Sequence, residues 1–197
     1  MADLAILIPA AGSSRRMRGA DKLLELVDGE AMLRRQARMA LGLDAKVLVT
    51  LPRGAAQRRA ALEELALDVI EVADAHAGMA ASLRAGAAAL AGAWDVMILP
   101  ADMPDLTQQD LRELVTAFAD AGSGVILRAT AADGRPGHPV LFPRRLVPEF
   151  STLRGDAGAY AILRAHSDLV RYHALPDERA LTDLDTPEAW AAWRARD

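Results

Sequence analysis

The 197-residue chain carries 23 Lys and Arg against 27 Asp and Glu, a formal charge of −4, and 52% of it is apolar. This is the balance of one soluble globular domain spanning 1–197, and it disfavours a general nucleic-acid binder, which would be basic. With no cysteine, the chain has no disulfide scaffold, no thiolate metal site and no cysteine nucleophile, and it fits a reducing cytoplasm. No apolar run reaches the ~18 residues of a membrane span, and the opening MADLAILIPAAGSS lacks the basic segment of a secretory signal.

In chain order, the continuous apolar run 4–8 ending at Pro9 reads as a buried strand, and the small, polar and basic stretch 10–22 as a loop. Residues 30–42 have helical spacing, 46–51 (KVLVTL) read as a strand, 55–66 as a helix and 67–72 as a strand. The Ala-rich residues 79–91 predict a packed helix after Gly78, 94–99 a buried strand, 107–121 a helix capped by Thr107, and 124–129 a strand. Alternation of this kind predicts a three-layer α/β architecture with a mainly parallel sheet. After residue 130 the rhythm changes. Residues 132–142 enter a short strand through turns, 144–150 and 156–165 look helical, 168–173 strand-like, and 187–195 helical. This irregular half is expected to close over a site.

Charge is uneven. Residues 1–60 hold eleven Lys and Arg against six Asp and Glu, a local balance of +5. Such a half could face an anionic small molecule. The plain reading of Arg34, Arg35, Arg38, Arg58 and Arg59 is nevertheless a set of solvated helix faces.

In open α/β sheets ligands sit beyond the carboxyl ends of the strands. The segment after the first strand holds Ala10, Ala11 and Gly12, small enough for close backbone approach, and then Ser13 and Ser14. Successive N–H groups there can cradle phosphate oxygens, with Arg15, Arg16, Arg18 and Lys22 nearby. It is neither a P-loop nor a dinucleotide fingerprint, and an ordinary strand-to-helix turn accounts for the same residues. Asp102 follows the strand 94–99, between Pro100 and Pro104, and is placed either to hold Mg²⁺ or to cap a turn. Asp183 and Asp185 alternate ahead of Thr186-Pro187-Glu188, which is also a common helix start. His138 lies between Gly137 and Pro139, where a packed loop histidine is the ordinary reading. The four histidines show no paired metal spacing.

Taken together, PAAGSSRRM with DKLL, LPADMP around Asp102, GRPGHPVLF, LRGDAGAY and DLDTPEAW resemble, in this order, the blocks of the nucleotidyltransferases with a MobA-like fold. They span residue 4 to about 190. Ala10-Ala11-Gly12 and Ala101-Asp102-Met103-Pro104 are most similar to the molybdenum cofactor cytidylyltransferase branch. Arg18 departs from the family glycine after the Arg-Met pair, and Tyr160 stands where the GDAGAR block ends in arginine.

The resemblance implies a three-layer Rossmann-like nucleotidyltransferase fold. It implies transfer of a nucleoside monophosphate, CMP from CTP, to the terminal phosphate of molybdopterin cofactor with release of pyrophosphate. In that reading Ala10, Ala11, Gly12, Ser13, Ser14, Lys22, Gly78 and Ser82 bind the nucleotide, and Arg16, Lys22 and Asp102 are catalytic. Asp102, Asp185 and Asp183 hold Mg²⁺, and His138 and Asp156 face the acceptor. The implied partner is a molybdoenzyme of the xanthine dehydrogenase type, with no nucleic acid and no membrane. Two alternatives stay open: the same chemistry with another triphosphate or another small phosphate, and a non-catalytic accessory protein of a molybdoenzyme.

Overall fold

The computed structural model describes residues 3–122 and 124–196. The elements are β1 (Leu4–Pro9), β2 (Leu26–Val27), β3 (Glu30–Ala31), α1 (Met32–Leu41), β4 (Lys46–Pro52), α2 (Ala56–Ala61) and β5 (Asp68–Val72). They continue with α3 (Met79–Leu90), β6 (Asp95–Ile98), α4 (Gln108–Asp120), β7 (Ile126–Thr130), β8 (Pro136–Phe142), α5 (Tyr160–Ala165), β9 (Val170–Ala174) and α6 (Pro187–Arg194). Seven strands form one sheet in the order β5-β4-β1-β6-β8-β7-β9, and β2 pairs with β3 alone. All pairings in the large sheet are parallel except those of β8, which runs antiparallel to both β6 and β7.

The central strands are apolar on both faces because helices cover both. Ile6, Ile8, Val47, Val49 and Met97 pack with Leu33, Ala37, Leu111 and Leu114 of α1 and α4 on one side. Their neighbours Ala5, Leu7, Leu48, Val96 and Ile98 pack with Ala80, Leu83 and Leu90 of α3 on the other. The two-residue period of the strand sends alternate side chains to opposite layers. The edge strands β5 and β9 are much more exposed. In α3, Gly86 allows the closest approach to the sheet: a Cβ there would lie 2.4 Å from the Leu7 side chain.

Several ends are set by specific caps. Thr107 and Asp110 form a reciprocal capping box, with the Asp110 N–H bonded to the Thr107 hydroxyl (3.2 Å) and the Thr107 N–H to Asp110 Oδ2 (2.8 Å). Thr186 caps α6 ahead of Pro187, as predicted. By contrast, α2 stops at Ala61 rather than 66. Arg34 donates to the carbonyls of Ala61 (3.0 Å) and Glu63 (2.9 Å), and Glu64 turns the chain at φ 66°.

In the second half, β8 is a full strand inserted between β6 and β7. The helical segment expected at 144–150 is a 3-10 helix over Arg144–Thr152, with Pro148 inside it. The helix expected from 156 begins only at Tyr160, because Gly155 and Gly158 carry positive φ. The hairpin β2–β3 was not expected. Its signal, Asp28-Gly29 with both residues at positive φ, is the ordinary two-residue hairpin turn.

Candidate functional site

Parallel strands β1 and β6 lie side by side, so the segments leaving their carboxyl ends meet. Residues 10–14 leave β1 and residues 99–104 leave β6. The C-terminal segment 182–186 joins them, its Leu184 N–H donating to the Asp102 carbonyl at 3.2 Å. Leu184 is buried with Met17, Val27, Met32 and Trp190 in a small core beneath the loops. Gln36, fully buried in α1, donates to the Met103 carbonyl at 2.6 Å and fixes the turn after Asp102.

The convergence puts one ammonium against two carboxylates. Lys22 Nζ bonds to Asp102 Oδ2 and, at 2.5 Å, to Asp185 Oδ1. Arg16 Nη2 reaches the other oxygen of Asp185 at 2.5 Å. Burial works against the charge on Lys22, but Asp102 and Asp185 override it and raise its pKa above the usual lysine value. Burial likewise opposes the charge on Asp185, yet Lys22 and Arg16 hold its pKa below the ordinary carboxylate value. Asp183 is exposed on the same segment and makes no ion pair among the described residues. Its carboxyl is pushed up by partial burial and by the charges of Asp185 and Asp102. Among the described residues, no group of three or more His, Asp or Glu side chains has metal-ligating spacing.

The loop after β1 is held by a residue assigned above to a solvated face. Arg58, from α2, is only 6% exposed. Its Nη1 donates to the carbonyls of Ala10 (2.6 Å) and Gly12 (2.8 Å), and its Nε and Nη2 grip Asp21 at 2.6 and 2.9 Å. Ser14 joins through a 2.9 Å bond to Asp21, and its oxygen accepts the Lys22 N–H at 3.2 Å. Burial works to raise the Asp21 pKa, but Arg58 brings it below the usual value. A trans peptide directs its C=O and N–H to opposite sides. Arg58 draws the Ala10 and Gly12 carbonyls inward, so the N–H groups of Ala11 and Ser13 face away from it. No hydrogen bond among the described residues uses the N–H groups of Ala11, Gly12, Ser13 or Ser14. The result is four unbonded N–H groups near Lys22 and Arg16, those of Ala11 and Ser13 turned away from Arg58.

Arg18 holds a left-handed conformation (φ 52°) at the end of the 3-10 turn 15–17, and pairs with Glu188 at 2.5 Å on the surface. Gly78 starts α3 with φ 88°, and a Cβ there would strike Asp156 Oδ1 at 2.2 Å and the Gly155 carbonyl at 2.8 Å. Gly78 and Asp156, distant in sequence, are therefore in contact. Ser82 is buried in the body of α3.

Beyond Pro9 and Pro100 opens a cleft of ≈ 400 Å³. Leu83, Ile98, Val140 and Leu163 make its walls apolar, and the charged side chains among its lining residues are Arg128 and Asp156. His138 also lines it, with Nδ1 buried and unbonded. Burial, then the positive Arg128, push the His138 pKa down to about 4, against the pull of Asp102. A small apolar-walled cleft with a few polar groups, adjoining clustered charges at strand ends, is the usual build of a small-molecule site.

A profile of the MobA-like NTP transferase domain matches residues 6–170. The crystal structure of Rv0371c from Mycobacterium tuberculosis H37Rv is 27% identical, covers 98% of this chain and 97% of its own, and superposes with a TM-score of 0.82. The structure of the same protein in complex with manganese is 25% identical over 98% and 97%, with a TM-score of 0.74. CMP:2-keto-3-deoxy-manno-octonic acid synthetase complexed with CTP shares the fold, at 16% identity over 99% and 98% and a TM-score of 0.76. No protein of curated function matches the chain by sequence.

Proposed function

Because this chain belongs to the MobA-like NTP transferase family and is thereby a nucleotidyltransferase, we propose that it moves CMP from CTP to the terminal phosphate of molybdopterin cofactor. The observation that carries this reading is the pair of carboxylates, Asp102 and Asp185, gathered around one lysine beside four free N–H groups. Such a site suits a triphosphate. The N–H groups of Ala11 to Ser14 would donate to phosphate oxygens, and Arg16 and Lys22 would neutralise their charge.

Two carboxylates that already converge on a single cation also fit a divalent ion, which uses few protein carboxylates and completes its shell with phosphate oxygens. Asp102 and Asp185 would hold it, with Asp183 at the rim, and Mg²⁺ bound there would neutralise charge on the α-phosphate. Manganese in the Rv0371c complex is consistent with a divalent site. Lys22 and Arg16 then exchange carboxylate partners for phosphate oxygens. An oxygen of the acceptor phosphate attacks the α-phosphorus, the bond to the β-phosphate breaks, and pyrophosphate leaves. The nucleophile is already anionic, so the chain's task is positioning and charge neutralisation rather than proton removal.

Cytosine is supported by the AAG and ADMP motifs, and the acceptor by their likeness to the molybdenum cofactor branch. The ≈ 400 Å³ cleft beside the strand ends would take the acceptor, and the family resemblance assigns Gly78 and Ser82 to the base. A molybdoenzyme of the xanthine dehydrogenase type is the partner that would consume the product, in the cytoplasm. No helix among the described residues is long and apolar enough to cross a membrane.

The test is pyrophosphate release with Mg²⁺ and molybdopterin cofactor, comparing CTP, GTP, ATP and UTP. Release with CTP alone is expected. Release with a different triphosphate overturns the base assignment. Silence beside measurable CTP binding overturns the acceptor, and absence of any nucleotide binding favours the accessory protein.

A further inference from the structure

We propose that Arg128 is the anion anchor of the acceptor cleft: it binds the phosphate that becomes the nucleophile. The inference rests on the reading that the acceptor is a phosphate monoester, and adds the residue that recognises it. Arg128 lies on β7 and is partly buried. Its Nε donates to the Gly137 carbonyl at 3.1 Å, which leaves both terminal nitrogens of the guanidinium uncommitted. No carboxylate among the described residues comes within ion-pair distance of it, whereas Arg16, Lys22 and Arg58 all have acidic partners.

It is also the one cation lining the cleft, since His138 beside it stays neutral above a pKa of about 4. Keeping a guanidinium half-desolvated without a counter-ion is unfavourable unless a ligand supplies one. Its planar pair of donors suits a phosphate better than an ammonium would. Position agrees. Pro9 and Pro100, which lead into the nucleotide loop and to Asp102, form the near wall of the same cleft. An anion held by Arg128 therefore faces the strand ends where the triphosphate is read. Two anions brought together repel, and a cation on the acceptor side offsets that. Tyr160, 59% exposed, lines the same cleft and carries no charge to meet an anion.

The competing role is mechanical. The β7–β8 register shifts between Arg128 and Thr130, and the Nε bond to Gly137 spans that irregularity. A strand staple would not distinguish a phosphorylated ligand from a dephosphorylated one. Molybdopterin cofactor and its dephosphorylated form should therefore be titrated against wild type, Arg128→Gln and Arg128→Lys. Wild type is expected to prefer the phosphorylated form by about 10–100-fold, the scale of a charge-assisted hydrogen bond. Arg128→Gln should lose most of that preference with CTP affinity unchanged, and Arg128→Lys should keep part of it.

An undiminished preference in Arg128→Gln overturns the proposal. So does an equal loss of CTP and pterin binding, which marks a staple. If wild type binds neither pterin form, the acceptor reading fails by itself, and inorganic phosphate becomes the probe. A phosphate-dependent shift of the Arg128 Nε–H resonance then upholds the anchor, and its absence overturns it.

Discussion

The two sides of the site are built on opposite electrostatic plans. On the nucleotide side the cations nearest the carboxylates are committed: Arg58 to Asp21, Lys22 to Asp102 and Asp185, Arg16 to Asp185. On the cleft side one cation is uncommitted and the neighbouring imidazole is held neutral. In the first arrangement each of these cations has an acidic partner, and on the proposed reading those pairs would be exchanged when a triphosphate and its metal bind. In the second, Arg128 is left unpaired although Asp156 lines the same cleft, and on the proposed reading a ligand carrying a single anionic group would pair with it. A triphosphate and a phosphate monoester differ in the same sense.

The largest effect should come from breaking the paired side at its centre. Asp102→Ala is expected to lower pyrophosphate release by about 10²–10³-fold, the scale of one lost electrostatic contact in a transition state, while circular dichroism shows the fold intact. Near wild-type turnover in a folded Asp102→Ala protein would remove Asp102 from the metal assignment.

On the cleft side the sharpest probe is pH. His138 takes up a proton near its usual value of 6.5 when unfolded but only at about 4 when folded. The unfolded chain therefore binds more protons between these values, and stability falls as pH drops through that window. The loss is about 3 kcal/mol. Urea denaturation at pH 7 and pH 4 should show that this share of the acid sensitivity is missing in His138→Gln.

Arg58→Met comes next, at about 2 kcal/mol. A buried charge pair broken on one side costs 3–5 kcal/mol, less here because Asp21 retains solvent contact. The nucleotide KM should rise as the loop carbonyls are released, and Arg58→Lys should not rescue it, lacking the forked donors. A denaturation midpoint and a nucleotide KM both equal to wild type would return Arg58 to the solvated faces. The smallest change is expected for Arg18→Gly. It relieves a left-handed arginine but adds freedom to the unfolded chain. Stability should shift by under about 1 kcal/mol, with turnover unaltered.

What the sequence disclosed follows the same divide. Strand β1 is a continuous apolar run and β4 and β6 are mostly apolar, so their burial and their parallel pairing were legible, as were the Thr107 and Thr186 caps. Lys22, Asp102 and Asp185 were legible as motif residues; that Lys22 would hold both carboxylates was not, because those partners are 80 and 163 positions away. Arg58 illustrates the limit. On a short Ala-rich helix an arginine reads as solvated, and nothing local betrays partners 37 to 48 residues earlier. The insertion of β8 between β6 and β7 was equally hidden. A strand's own pattern states that it is buried, not which neighbours it finds.

The segment 182–190 supplies Asp185, ties Leu184 to the Asp102 carbonyl and plugs Trp190 beneath Met17. On a growing chain Lys22 and Asp102 emerge long before it does. A nascent protein can therefore complete its parallel strands β1, β4, β5 and β6 and still have Lys22 held by one carboxylate instead of two. On the proposed reading, competence to handle a triphosphate would arrive late in synthesis, when the last of the three site segments folds back across the first.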